Sequence, residues 1–272
     1  MAAHADKVDA FRALHVPGVP LLVANPWDAG SARLLVSAGF RALATTSSGH
    51  AATLGRLDGL VTREEAIDHA AAIALAVDVP VSADLENGFA DDPDGVFATI
   101  AAAAAAGLAG ASVEDFTGRP DDPIYPIELA ADRVAAAALA ARGDPGLVLT
   151  ARAENLIRGN PDLDDTIARL QAYQAAGADV LYAPGLTSLD QIRRVLESVD
   201  LPVNVLIGPG VPTVAELADA GVARISVGGA FSHVSLAALD GAARELIDLG
   251  TYSFLGPAAH GRDVAGAAFH GG

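Results

Sequence analysis

The sequence predicts an α/β fold, a (β/α)8 TIM barrel with an extra N-terminal helix, on three observations. Short runs rich in Val, Ile and Leu alternate with alanine-rich helical stretches almost from end to end, the pattern of a parallel sheet covered by helices. Ala-Gly recurs just before the next strand in SAGFRAL, AAGLAGASV, QAAGADVLY and DAGVARISV, where glycine is the usual helix stop. The length of 272 residues is normal for one such barrel.

Taken in order, the strands are expected at 20–24, 42–45, 79–83, 110–114, 147–151, 180–182, 203–206 and 224–227. Helical stretches fall between them near 30–38, 63–77, 93–106, 127–141, 162–176, 188–198, 212–220 and 231–248. Residues 3–14 read as the extra helix, placed to cover the bottom of the barrel. The barrel domain spans 1–250, and 251–272 is a Gly-, Ala- and His-rich tail, either loose or packed on a neighbouring subunit. A doubly wound open sheet would need no eighth unit and usually carries a glycine-rich first turn. Here the first strand ends in Asn25-Pro26-Trp27-Asp28.

Composition narrows the function. Half of the chain is apolar and only 5% aromatic, so Ala, Val, Leu and Ile build the core. The absence of cysteine removes disulfides, thiolate zinc sites and cysteine nucleophiles, and suits a cytoplasmic protein. No apolar run is long enough to span a bilayer. A net charge of −17 supplies no basic surface for nucleic acid and repels anionic membranes. The single lysine, Lys7, lies outside every predicted barrel strand, so a Schiff-base aldolase is excluded.

In such barrels the active site gathers at the C-terminal ends of the strands. Strand three delivers Asp84 and Glu86, and strand four delivers Glu114 and Asp115. The loop after strand two carries Thr45, Thr46, Ser47, Ser48 and Asp58; strand five delivers Arg152 and Glu154. Carboxylates converging on one rim repel each other unless a cation sits among them, and oxygen ligands favour Mg²⁺ or Mn²⁺ over zinc. Arg152 is the natural fork for a substrate carboxylate, and the Thr45–Ser48 turn offers hydroxyls and amides for a second one. Any one of these acids could equally cap a helix or pair with an arginine, and Asp115 is expected in that supporting role. His50 lies in the strand-two loop within possible reach of substrate, whereas His69 falls in a helix and is expected at the surface. The glycine turns at 208–210 and 227–229 resemble phosphate-binding turns but read better as plain β-to-α turns. Tyr182, at the exit of strand six, either lines the pocket or packs.

The segments LLVANPWDAGSARLLVSAGFRALATTSSG, LGRLDG, PVSADLENGFAD, GASVEDFTG, LTARAEN and YQAAGADVLYAPG together resemble the isocitrate lyase/phosphoenolpyruvate mutase superfamily, over about Leu21 to Gly250. The resemblance implies Mg²⁺-dependent chemistry on oxo or hydroxy acids in a barrel that is a homotetramer or homodimer, often with a helix swapped between subunits. It implies Asp84 as principal metal ligand, with Glu86 and Glu114 reaching the metal largely through water. By the same transfer Thr46 and Ser47 hold the substrate carboxylate, Arg152 contacts substrate, and Asp58 lies beside the reacting group. The chain departs from the family in the loop from Phe116 to Tyr125, which has no cysteine, lysine or asparagine, and after strand six, where LYAPG lacks the mutases' histidine.

What survives these departures is the metal and enolate half of the mechanism. The expected function is a Mg²⁺-dependent carbon–carbon lyase or decarboxylase on a small oxo- or hydroxy-dicarboxylate, through a metal-stabilised enolate. Asp58, Tyr125 and Arg119 are the residues available for proton handling. The alternatives are P–C bond chemistry, a non-catalytic ligand-binding barrel, and a phosphate-binding isomerase resting only on the glycine turns.

Overall fold

The computed structural model describes residues 2–270. Eight parallel strands form the barrel: β1 (Leu21–Val23), β2 (Leu43–Ala44), β3 (Val81–Asp84), β4 (Gly110–Glu114), β5 (Val148–Arg152), β6 (Val180–Tyr182), β7 (Val203–Leu206) and β8 (Arg224–Ser226). From β2 to β8 each strand pairs with the next, and β8 pairs with β1. Between β1 and β2 the ring is completed by the Ala44 amide, which donates to the Ala24 carbonyl at 3.0 Å. Side chains alternate in and out along each strand. Leu181, Val205 and Ile225 face outward into the core under the helices, while Thr150, Asn204 and Arg224 face the axis.

The helices are α1 (Ala2–Ala13), α2 (Ala29–Ser37), α3 (Ser47–Thr53), α4 (Arg63–Ala76), α5 (Pro93–Ala105), α6 (Ile127–Ala141), α7 (Leu163–Ala175), α8 (Leu189–Leu196), α9 (Val214–Asp219), α10 (Ala230–Arg244) and α11 (Leu255–Phe269). Their starts are written locally. Thr62 with Glu65, Ser188 with Gln191, and Thr213 with Glu216 form reciprocal capping boxes at α4, α8 and α9. Asp92 caps α5, with Pro93 at its first position.

The extra N-terminal helix plugs the bottom of the barrel. Phe11 is fully buried against Leu21, Ala42, Val148 and Val180. A Cβ on Gly110 would stand 2.6 Å from the Phe11 ring, so β4 must begin with glycine for the plug to seat. Beyond α10 the chain passes through a π turn, Glu245–Leu249, and ends the helix at Gly250 with φ 64°. The stretch read as a tail forms α11, which lies beside α2 of the same chain, with Phe269 close to Gly30. Gly271 and Gly272 fall outside the described residues.

One segment expected as loop is a helix. After β2, Thr46 accepts from the Gly49 amide and starts α3, and a Cβ on Gly49 would stand 2.5 Å from the Thr46 methyl. This short helix aims its first amides at the barrel mouth.

Candidate active site

The C-terminal ends of β2 to β5 converge on a cavity of about 510 Å³, lined by Ser47, Asp58, Glu86, Glu114, Arg152 and Arg158 among others. Sheet register explains the convergence: Asp84 pairs with Ser112, Glu114 with Arg152, and Arg152 with Tyr182. Three of the sequence-predicted acids, Asp58, Glu86 and Glu114, line this mouth, and Asp84 stands beside it at the narrower cavity below.

Arg152 is the hub. It contacts Asp84 at 3.2 Å, Glu114 at 3.0 Å and the fully buried Glu154 at 2.6 Å, and its guanidinium lies 4.8 Å over the Tyr182 ring. Burial alone would pull its pKa down, but Glu114, Glu154 and Asp84 outweigh that and hold it well above the usual range. The expected fork for substrate thus already has its donors engaged by protein carboxylates.

Carboxyl groups outnumber guanidinium groups here, and two of the acids hold their protons more tightly than usual. Burial pushes Glu114 well above the usual carboxylate range, against the pull of Arg152. Glu86 is pushed up to about 7, first by burial and then by Asp84 and Asp58. Its backbone is also strained: Glu86 and Phe89 have φ of 49° and 55°, a left-handed region that side chains rarely adopt outside functional loops. Arg133 of α6 clamps this loop, donating to the carbonyls of Asn87 and Ala90 while stacking 4.0 Å from the Tyr125 ring centre.

Asp84 is oriented by its neighbours. Its carboxylate accepts from the Ser47 amide at 3.2 Å, and its own amide donates to the Thr45 hydroxyl at 2.9 Å. Thr45, read as a substrate contact, therefore spends its hydroxyl on the β3 backbone, and Thr46 spends its own on the α3 cap. Two residues expected to handle protons are placed elsewhere. The Tyr125 hydroxyl donates to Asp91, and Arg119 pairs with the same carboxylate at 3.0 Å, tying the β4–α6 loop to the β3–α5 loop. Neither lines the acidic cavity.

Asp115 turns away from the mouth into a buried network, accepting from the Glu154 amide, Arg169 and Tyr173. The Val227 and Gly228 amides donate to Asn25 Oδ1, so that glycine turn is a structural one. His69 is half-buried rather than on the surface: its Nε2 bonds the Trp27 carbonyl and its ring stacks 3.7 Å from that of His50. Arg158 is the residue the sequence reading missed. It lines the mouth, pairs with Glu154 at 3.3 Å and stacks 3.6 Å over Phe116. The i,i+4 spacing of Glu154 and Arg158 directly after a strand was the available signal.

The donor set fits a hard cation. Among the described residues no three His, Cys, Asp or Glu side chains form a ready metal cage. Mg²⁺ asks for less, taking one or two carboxylates and keeping several waters. Asp84 is partly exposed, beside Arg152 and the Ser47 amide.

An eight-stranded barrel carrying a carboxylate-rich, arginine-bridged rim is the architecture of an enzyme-type barrel mouth. The sequence profile of the phosphoenolpyruvate phosphomutase family matches residues 11–247, and the chain belongs to the isocitrate lyase/phosphoenolpyruvate mutase superfamily. It is 33% identical to 2-methylisocitrate lyase of Escherichia coli strain K12, over 71% of this chain and 67% of that protein. Oxaloacetate decarboxylase of Pseudomonas putida strain GB-1 is 30% identical, with 83% and 78% covered. The crystal structure of a candidate lyase/mutase from Burkholderia cenocepacia J2315 superposes with a TM-score of 0.93 at 51% identity, covering 97% of this chain and 96% of that one. No described helix is long and apolar enough to cross a membrane.

Proposed function

We propose that the protein is a Mg²⁺-dependent carbon–carbon lyase acting on a small oxo- or hydroxy-dicarboxylate, with decarboxylation of an oxaloacetate-like substrate as the simplest case. The observation that carries this reading is the rim itself: Glu86 and Glu114 line the mouth, Asp84 and Glu154 join them through Arg152, and Glu86 and Glu114 are acids whose ionised forms a bound cation would favour. Asp84 would hold the ion directly, and Glu86 and Glu114 through water. Bound there, Mg²⁺ supplies Lewis-acid polarisation of the 2-oxo group.

The chain's own residues do the rest. Arg152 gathers the carboxylates into one array, and the loop pinned by Arg133 holds Glu86 over the mouth. In a decarboxylation the C3–C4 bond breaks, its electron pair passes towards the 2-oxo group, carbon dioxide leaves, and C3 takes one proton. Water can deliver that proton, and Asp58, the exposed carboxylate of the mouth, is placed to orient it. No cysteine is required. Cleavage of a malate- or citrate-like substrate would add a base for the hydroxyl, and Asp58 is again the open group. The relatives named for 2-methylisocitrate cleavage and for oxaloacetate decarboxylation support this class.

The test is oxaloacetate consumption by purified protein with Mg²⁺ and with EDTA, corrected for the metal-catalysed background. Protein-dependent, EDTA-sensitive loss is expected. Turnover of phosphonopyruvate without turnover of oxaloacetate would replace this reading with P–C bond chemistry, which the family profile also accommodates.

A further inference from the structure

Below the acidic rim the barrel axis is not filled. A cavity of about 60 Å³ lies there, lined by Ser82, Ser112, Arg152, Tyr182, Arg224 and Ser226 among others. Ala44 and Val23 leave room on the β1–β2 side. Roughly 10–15 Å³ by this kind of measure suffices for one water, so the space admits a group the size of a carboxylate.

Arg224 is the unusual member of the lining. It is buried, and among the described residues it forms no ion pair with any carboxylate. Its partners are neutral: Nε donates to Asn204 Oδ1 at 2.9 Å, and Nη1 to Thr150 Oγ1 at 3.1 Å and towards His15 Nε2 at 3.3 Å. His15 Nδ1 bonds the Phe11 carbonyl, which leaves Nε2 as the acceptor of a neutral imidazole. Burial, then Arg224, hold His15 down to about 3, so it stays neutral, while burial lowers Arg224 only to about 10 and leaves it a cation at neutral pH. Arg224 Nη2 has no hydrogen-bond partner among the described residues. A buried cation without a counter-ion is costly and is normally matched by an anion. The other cation of the cavity, Arg152, is already engaged by Asp84, Glu114 and Glu154, and Asp84 is the one acid in the lining.

We infer that this interior cavity is an anion pocket that takes one carboxylate of the substrate, with Arg224 as its counter-charge. The inference rests on the dicarboxylate reading above and sharpens it. The rim engages the oxo-acid end, and the barrel axis selects for a second carboxylate. Substrates with only one carboxylate leave Arg224 unmatched and bind more weakly.

Malonate, which cannot turn over by the proposed route, is the probe. Its affinity and that of acetate are measured by calorimetry with Mg²⁺ present, for the wild type, Arg224→Met and Arg224→Lys. The expected result is a preference for malonate that falls at least about tenfold in Arg224→Met, the scale of a lost charge-assisted contact, and returns in part in Arg224→Lys. Replacing an unpaired buried charge by an apolar group need not weaken the fold. If Arg224→Met nevertheless fails to fold, Ala44→Val fills the cavity without touching the charge and is expected to cause the same loss. Wild-type protein without measurable malonate binding, or folded Arg224→Met or Ala44→Val protein with unchanged malonate affinity, would overturn the inference. Failure of oxaloacetate turnover would overturn only the proposed reaction, because malonate binding is read without turnover.

Discussion

The two ends of the barrel solve opposite problems. At the bottom, Phe11 and its neighbours Val8, Leu21, Val148 and Val180 bury apolar surface, with His15 and the single cation Arg224 on its inner side. At the top, Asp84, Glu86, Glu114 and Glu154 crowd round Arg152, one of them on a left-handed backbone. The histidines repeat the contrast. His15 below has both ring nitrogens engaged, whereas His50 in α3 is buried with neither nitrogen bonded. A strained, charge-rich end persists only if the remainder of the fold over-determines it. The bottom supplies that stability and the top uses it.

The largest effect should come from breaking the stable end. Phe11→Ala removes a fully buried ring that seats against Gly110, and about 3–5 kcal/mol of stability should go with it. Denaturant unfolding would show this as a lower midpoint, with the turnover of the folded fraction unchanged. A variant that kept its stability would mean that α1 is an accessory and the barrel closes without its plug.

Next in size is the reverse experiment at the top. Asp84→Ala should reduce Mg²⁺-dependent ligand binding by about 100-fold or more, beyond the 10–100-fold typical of outer-shell partners. Its thermal midpoint should stay at or above that of the wild type, because one of several mutually repelling carboxylates is gone. Unchanged metal affinity, measured by Mn²⁺ titration, would remove Asp84 from the metal site.

The sequence exposed the two ends unequally. All eight strands, the N-terminal helix and the acids at the strand exits follow from periodicity, from Ala-Gly helix stops and from the polarity of strand ends. Those are local signals. What it hid depends on which partner a polar group chooses in three dimensions. Thr45 turns to the Asp84 amide, Tyr125 and Arg119 turn to Asp91, and Arg152 pairs with three protein carboxylates. Nothing in residue type or spacing distinguishes these from free groups. Arg224 was silent for the same reason: an arginine opening a strand reads as an edge residue until the register places it on the barrel axis. The helix after β2 is short, and its start rests on a single Thr46 cap to the Gly49 amide within a polar, glycine-containing run that reads equally as loop.

The smallest effect concerns His50, and it tests whether the upper end carries avoidable strain. Burial, then the neighbouring His69, lower its pKa from 6.5 to about 4. The folded protein therefore keeps His50 neutral while the unfolded chain binds a proton below pH 6.5. Between pH 6.5 and about 4 the unfolded state holds more protons, so stability falls as the pH falls through that window and is unaffected above it. His50→Phe keeps the aromatic stack on His69 and removes the titration. Its midpoint should match or exceed that of the wild type at pH 7 and decline less on acidification to pH 4.5, by on the order of 1 kcal/mol. Acid loss from His15 and from the paired carboxylates remains in both proteins and cancels in the difference. Parallel curves for the two proteins would show that His50 finds a proton partner in solution, and the contrast with His15 would then vanish.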